Sequence, residues 1–345
     1  MQIININTFL KYLASPFALV YGFIILCRNS FYNLGFFKSH KLPCTVISVG
    51  NLAVGGTGKT PTVIFLAKYL QKKNKKVIIL SRGFGRSTRG TILVTDGNDT
   101  KFSWQEVGDE PYLMAKLLNG VPIIVDENRV RGGMFAIKNF NADIILLDDG
   151  FQHRSIIRDL DFVLINSRDK QSDHKLIPSG ILREPWLNID RSSAIILTKS
   201  NIYNPQPFLL TKIKETQKPL IKSTIQLSQS SLQNKKKLNI AQYSGAKVAI
   251  ISAIGDNTGF YNSVTKYGFE IVCEITFPDH FHYTINTLKK INNKIIKSDA
   301  ELIITTEKDW IKLENFNFDQ SVIVMGLSLN LEPKDKLKEL LRPFL

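Results

Sequence analysis

The chain has 345 residues, with 45 Lys and Arg against 30 Asp and Glu, and so a formal charge of +15. No acid precedes Asp96 and residues 1–95 carry thirteen basic residues, so the other 32 basic and 30 acidic residues nearly cancel. A uniformly basic nucleic-acid coater and a disordered chain are both excluded as default readings: the charge is confined to one quarter, and 43% of the residues are hydrophobic, enough for two globular domains.

The first segment in chain order, Leu13 to Cys27, is LASPFALVYGFIILC, fifteen residues without a charge, where about 20 are needed for a comfortable membrane span. Extending it through Phe9, Leu10 and Tyr12 brings in Lys11 and keeps Pro16 inside the helix. No small-residue cleavage site follows, so a signal peptide fits poorly. Three readings remain: a helix on or partly in a membrane surface, a single span, and a buried core helix. Flanking Tyr12, Tyr21, Phe31 and Tyr32 suit the headgroup level, and Arg28, Lys38 and Lys41 suit anionic lipid. The expectation is a membrane-associated segment over residues 1–40.

Thr45–Val49 is a short β-branched run of the kind that forms a buried parallel strand. It leads into Gly50-Asn51-Leu52-Ala53-Val54-Gly55-Gly56-Thr57-Gly58-Lys59-Thr60-Pro61 and then a helix-periodic stretch to Leu70. Strand, glycine loop, Lys-Thr and helix follow in the order a phosphate-binding loop requires. Backbone N–H groups of Gly55, Gly56, Thr57 and Gly58 would turn onto phosphate oxygens. Lys59 would neutralise the β- and γ-phosphates of ATP, and the Thr60 hydroxyl would hold Mg²⁺. The usual G-x-x-x-x-G-K-[ST] pattern wants glycine where this chain has Ala53. Partition-type ATPases carry a signature lysine where it has Val54, which counts against a membrane-associated ATPase switch, the competing reading.

A second apolar run, Asp143–Leu147, closes on Asp148-Asp149-Gly150. An acid at the C-terminal edge of a parallel strand, downstream of a phosphate loop, is the arrangement that places a metal ion. Strand-like runs at 45–49, 77–80, 121–125, 143–147, 160–165 and 194–198 alternate with helix-length intervals, which predicts a doubly wound parallel α/β sheet. The polar stretch at 226–240 reads as a linker between a domain at 41–225 and a smaller α/β domain at 241–345, with further strands near 247–253, 270–275, 301–305 and 321–325. Cys27, Cys44 and Cys273 are far apart and show no CxxC spacing, so neither a disulfide framework nor a zinc site is expected, and a reducing, cytosolic setting is.

Several segments together resemble the tetraacyldisaccharide 4'-kinase family of lipid A biosynthesis. They are the loop Gly50–Pro61, Ser81–Arg86, Val107–Pro111, Asp148–Arg154, Pro178–Pro185, Phe277–His280 and Thr305–Asp309. The resemblance implies transfer of the γ-phosphoryl group of ATP to the 4'-hydroxyl of a tetraacylated glucosamine disaccharide 1-phosphate. It also implies Mg²⁺ and work at the cytoplasmic face of the bacterial inner membrane, with no nucleic acid and no protein partner expected. By motif match Asp109 is the candidate base and His280 its partner, with His282 a competing histidine. Asp148 and Asp149 match the metal-organising pair, Gln152 and Glu184 the nucleotide side, and Arg183 a phosphate-steadying guanidinium. Arg129 is a looser second candidate for that role, with Arg131 close by. Arg82 and Arg86 read equally as site residues and as a solvated basic turn. Thr305–Asp309 reads first as a strand end and helix cap. With His280 in the smaller domain and Lys59 and Asp109 in the larger one, the active site is expected in the cleft between them, which is expected to close on nucleotide.

Overall fold

The structure is a computed structural model and describes residues 15–232 and 240–345. Helix α1 (Ser15–Asn33) precedes β1 (Thr45–Asn51), α2 (Lys59–Gln71), β2 (Val77–Ser81) and β3 (Ile92–Thr95). A short α3 (Trp104–Val107) and α4 (Asp109–Leu117) lead to β4 (Ile123–Val125), α5 (Arg129–Phe140), β5 (Ile144–Asp148), β6 (Leu160–Asn166), β7 (Ala194–Thr198), α6 (Pro207–Glu215) and β8 (Leu220–Leu232). The C-terminal part adds β9 (Lys247–Ser252), α7 (Asn257–Lys266), β10 (Glu270–Thr276), α8 (Ile285–Ile296), β11 (Leu302–Thr306), α9 (Glu307–Leu313), β12 (Ser321–Glu332) and α10 (Lys334–Leu341).

These strands form one sheet in the order β10-β9-β11-β12-β8-β7-β6-β1-β5-β2-β4-β3. Pairing is parallel except between β3 and β4 and between β8 and β12. The central strands are uninterrupted apolar runs because helices cover both faces. On one face α2 and α4 bury Leu66, Leu70 and Met114 against Ile47, Ile79 and Leu146. On the other, α5 lays Ala136 against Ile78, Leu80 and Ile145, and α6 lays Leu209 and Ile213 against Val163 and Ile195. In the C-terminal part α8 covers one face with Leu288, Ile291 and Ile295, and α7 covers the other with Phe260 and Val264.

β1 lies between β5 and β6. The chain therefore winds outward in both directions from β1, and the crevice at its C-terminal end is where an open α/β sheet binds ligands.

The segment expected as a linker differs from that expectation. Its residues up to 232 belong to β8, which pairs in parallel with β7 through Leu220–Lys222 and antiparallel with β12 from Lys222↔Glu332 to Leu232↔Ile323. Ladder hydrogen bonds come from the backbone, so a polar sequence can pair here; alternate residues Ile221, Ser223 and Ile225 are the buried ones. Residues 233–239 of the expected linker lie outside the described residues. Helix α10, at the end of the expected smaller domain, returns to the N-terminal half of the sheet, where Leu337 and Leu341 join the cluster around Leu66 and Leu70.

Helix α1 confirms helical structure from Ser15 onward; the part of the apolar segment before residue 15 lies outside the described residues. Among the described residues no helix is long and apolar enough to cross a membrane. Its seat is polar and its outer face is not: Phe17, Leu19 and Phe23 are 69%, 76% and 67% exposed.

Candidate active site

β1 delivers the chain to the loop at residues 50–60, where two glycines set its course. Gly55 and Gly58 have φ of +105° and +85°, a region closed to most side chains. Gly58 caps α2, so Lys59 opens the helix and the unpaired N–H groups of the first turn face the loop. Asn51 Nδ2 donates to Thr57 Oγ1 at 2.9 Å, both side chains buried. Residues 181–183 run alongside the loop: Val54 N donates to the Ile181 carbonyl and Arg183 N to the Leu52 carbonyl, each at 2.7 Å. The C-terminal half touches it too, for a Cβ on Gly255 would come within 2.8 Å of Gly56 N.

β5 ends beside the loop, with Val49 paired to Asp148. Asp148 is buried and accepts from Ser81 Oγ at 2.8 Å, while its Oδ1 has no partner. Burial raises its pKa, and the charges of Glu110 and Asp149 add to that. Asp149 turns toward the cations: Lys59 Nζ lies 3.7 Å from its Oδ1, and Arg183 Nη1 is 3.0 and 2.8 Å from its two oxygens. Burial pushes Asp149 up, but Lys59 and Arg183 outweigh it and hold the carboxyl low.

Asp109 opens α4 and is 5% exposed. His280 comes from the C-terminal half, in a left-handed turn with φ of +61°, and its Nδ1 lies 2.8 and 3.0 Å from the two Asp109 oxygens. Burial pushes the Asp109 carboxyl up, but the His280 hydrogen bond and the charges of Lys308 and Lys312 hold it well below the usual carboxylate range. The dyad lines a cavity of about 140 Å³ together with Phe84, Gly85, Trp104 and His282. The Phe84 ring stands edge-on to His280 at 5.4 Å, and His282 packs against Trp104 at 4.9 Å. Glu110, one residue past Asp109, is close enough to Asp148 to raise its pKa, which ties the dyad to the loop and acid pair.

The comparison with protein families decides what this arrangement belongs to. Residues 10–345 match the model of tetraacyldisaccharide-1-P 4'-kinase. The chain belongs to the tetraacyldisaccharide 4'-kinase family. Among curated relatives, the tetraacyldisaccharide 4'-kinase of Aquifex aeolicus is 38% identical over 326 residues, covering 94% of this chain and 96% of its own length. That of Halothermothrix orenii is 33% identical, covering 94% and 90%. The crystal structure of the Aquifex aeolicus enzyme in complex with ATP superposes with a TM-score of 0.80 at 36% identity, over 97% of this chain and 99% of that one.

The remaining residues of this 4'-kinase fall into two groups. Gln152 Nε2 donates to the Asn51 carbonyl at 2.9 Å and so braces the start of the loop. Arg86 is bound to Glu127 and the Gly90 carbonyl, and Arg131 makes a bidentate pair with Asp126. Both are thereby committed to the fold. Arg129 is 1% exposed and bound to the Asp126 carbonyl, but its Nε and Nη2 have no partner. Burial brings its pKa down to about 10, against the pull of Asp148 and Asp149. Its side chain is buried within electrostatic range of the acid pair. A larger open hollow of about 510 Å³ near His40 and Ser155 is walled by these paired Arg and Glu side chains.

Glu184 is fully buried, and its carboxylate is taken up by Arg28 and Asn29 of α1 and by Asn188 and Arg191. It does not turn to the loop, where it was expected. Two site residues come from the helix that begins in a motif read as structural. Thr306 does cap α9, its Oγ1 accepting from Asp309 N at 3.1 Å and donating to Asp309 Oδ2 at 2.8 Å, and Asp309 Oδ1 accepts from Ala253 N. Yet the same helix sends Lys308 to Asp279 and Glu110, at 2.9 and 3.5 Å, and Lys312 to Asp109 at 2.9 Å. Their i, i+4 spacing puts the two lysines on one face of that helix.

Among the described residues no cluster of three His, Cys, Asp or Glu forms a metal site. The donor set instead suits a cation that takes most of its ligands from phosphate and water: one hydroxyl, Thr60, and one carboxylate with a free buried oxygen, Asp148.

Proposed function

We propose that this enzyme transfers the γ-phosphoryl group of ATP to the 4'-hydroxyl of a tetraacylated glucosamine disaccharide 1-phosphate. The observation that carries this is the Asp109–His280 dyad, assembled from both halves of the chain and opening onto a cavity next to a phosphate loop. An alcohol acceptor must lose a proton as it attacks, and a built acid–base pair supplies the group that takes it.

The loop N–H groups from Gly55 to Thr60 and the Lys59 ammonium hold the β- and γ-phosphates. Thr60 and Asp148 hold Mg²⁺, which when bound offsets phosphate charge. Arg183 steadies Asp149, and Arg129 adds a buried positive charge within range of the acid pair. Asp109 fixes the imidazole through Nδ1, so Nε2 of His280 faces outward to take the hydroxyl proton. Lys308, 3.4 Å from that Nε2, adds a positive charge where the acceptor oxygen and phosphate meet.

The enzyme works at the cytoplasmic face of the inner membrane, a reading that the exposed apolar side of α1 supports only as far as contact with a membrane surface. An exposed stripe containing Phe17, Leu19 and Phe23 supports a helix lying in an interface, with Lys38 and Lys41 near anionic headgroups. The test is a phosphotransfer assay with Mg·ATP and a tetraacyldisaccharide 1-phosphate in detergent micelles. Acceptor-dependent formation of the 4'-phosphorylated product is expected; ATP turnover indifferent to acceptor overturns the proposal.

A further inference from the structure

Glu184 is the polar seat on which α1 rests. Its Oε1 accepts from Arg28 Nη2 at 3.3 Å, and its Oε2 from Asn29 Nδ2 at 3.1 Å and from Asn188 Nδ2 and Arg191 Nη2 at 2.8 Å each. Nothing in this set belongs to the phosphate loop or the dyad. A fully buried carboxylate is costly unless its lone pairs are used, and here half of its donors come from α1.

The neighbouring residue is what gives this seat a consequence. Tyr21 of α1 donates from its hydroxyl to the Arg183 carbonyl at 2.7 Å. The Arg183 N–H is bound to Leu52 of the phosphate loop, and the Arg183 guanidinium grips Asp149. Ala53 and Leu182 form a bridge between the same two stretches. Helix, Glu184, Arg183 and loop are thus joined without a gap by hydrogen bonds whose geometry is well defined.

We infer that Glu184 is a positioning residue that lets α1, the helix with the exposed apolar face, set the placement of Arg183 and the phosphate-loop edge. This rests on the reading of that edge as the Mg·ATP site. In consequence α1 is part of the nucleotide site's support as well as a surface for lipid.

Calorimetric titration of Mg·ATP into the full chain tests this without any acceptor. Tyr21→Phe removes one hydroxyl and no charge; Glu184→Gln keeps the shape and removes the charge. Each is expected to weaken Mg·ATP binding about fivefold or more in protein whose circular dichroism matches wild type. Leu187→Ser, a 78% exposed position three residues beyond Glu184, is expected to leave it within about twofold. A merely structural role would lower the urea midpoint and leave nucleotide affinity unmoved. Unchanged affinity in folded Tyr21→Phe overturns the inference, whether or not Glu184→Gln folds. A wild-type chain that fails to bind Mg·ATP overturns the nucleotide reading itself, and a failure of acceptor phosphorylation bears on neither variant comparison.

Discussion

Lys312 Nζ lies 2.9 Å from Asp109 Oδ2, the same oxygen that His280 Nδ1 approaches at 2.8 Å. A buried ammonium, 1% exposed at its side chain, therefore sits on the far partner of the proposed catalytic histidine. It keeps the carboxylate ionised and makes it a fixed anchor for the ring.

Lys312→Met removes that charge while roughly preserving volume. Loss of a nearby cation raises the proton affinity of the Asp109 carboxyl, so the acid limb of the kcat profile moves to higher pH, by roughly one unit. A pH–rate series on wild type and variant checks it; an unmoved limb means that Lys312 serves only packing against Trp104, whose ring it faces at 5.5 Å.

Asp109→Asn and His280→Ala each lower kcat by roughly 10² to 10⁴, the range of positioned proton transfer. Since the two act as one unit, the double variant costs little more than the worse single one. Strictly multiplicative losses in steady-state assays would separate the residues into independent roles.

Gly255→Ala targets the contact between the two halves. The new Cβ would lie 2.8 Å from Gly56 N and 2.9 Å from its Cα, backbone atoms that yield only if the loop or the C-terminal half shifts. KM for ATP rises roughly tenfold or more. Gly245→Ala, distant from the loop, with nothing within 4 Å of a new Cβ but a φ of +85°, controls for generic backbone strain.

His174 offers a stability test away from the catalytic groups. Its ring is enclosed by Trp186 and Phe208, 5.0 and 5.5 Å away, and burial, aided by the Lys212 charge, lowers its pKa to about 4. The unfolded chain takes up that proton near pH 6.5 and the folded one does not, so between these values the unfolded state binds more protons and stability falls as pH falls. The contribution is at most about 3 kcal/mol. His174→Gln lacks it, and its urea-derived stability gap to wild type narrows from pH 7 to pH 4.5; a constant gap refutes the buried neutral imidazole.

What could be read from the residues followed local chemistry. Gly58-Lys59-Thr60 after a β-branched strand, and Asp148 closing an apolar run, announce themselves because loop, strand and acid are set by neighbours in sequence. The pairing of Asp109 with His280, 171 residues apart, was legible only through motif resemblance. Glu184 misled for the opposite reason: its motif neighbours Arg183, which does reach Asp149, while its own side chain faces the other way into α1. Lys312 carried no motif signal, and its burial depends on Trp104 and Asp109 from another element. β8 escaped because a polar segment flanked by apolar strands on both sides needs no apolar pattern to be paired.

That strand has a consequence for how the molecule can be divided. β8 is hydrogen-bonded to β7 on one side and β12 on the other, so the seam between the two halves runs through a ladder instead of a tether. Severing the chain there would leave each fragment with a raw strand edge, a template for sticking to other chains, and α10 would be stranded away from the face it covers. The C-terminal half is therefore a poor candidate for a transferable module. Any opening of the crevice must be a twist of the continuous sheet about β8, with the dyad and the Gly56–Gly255 contact separating in the same movement.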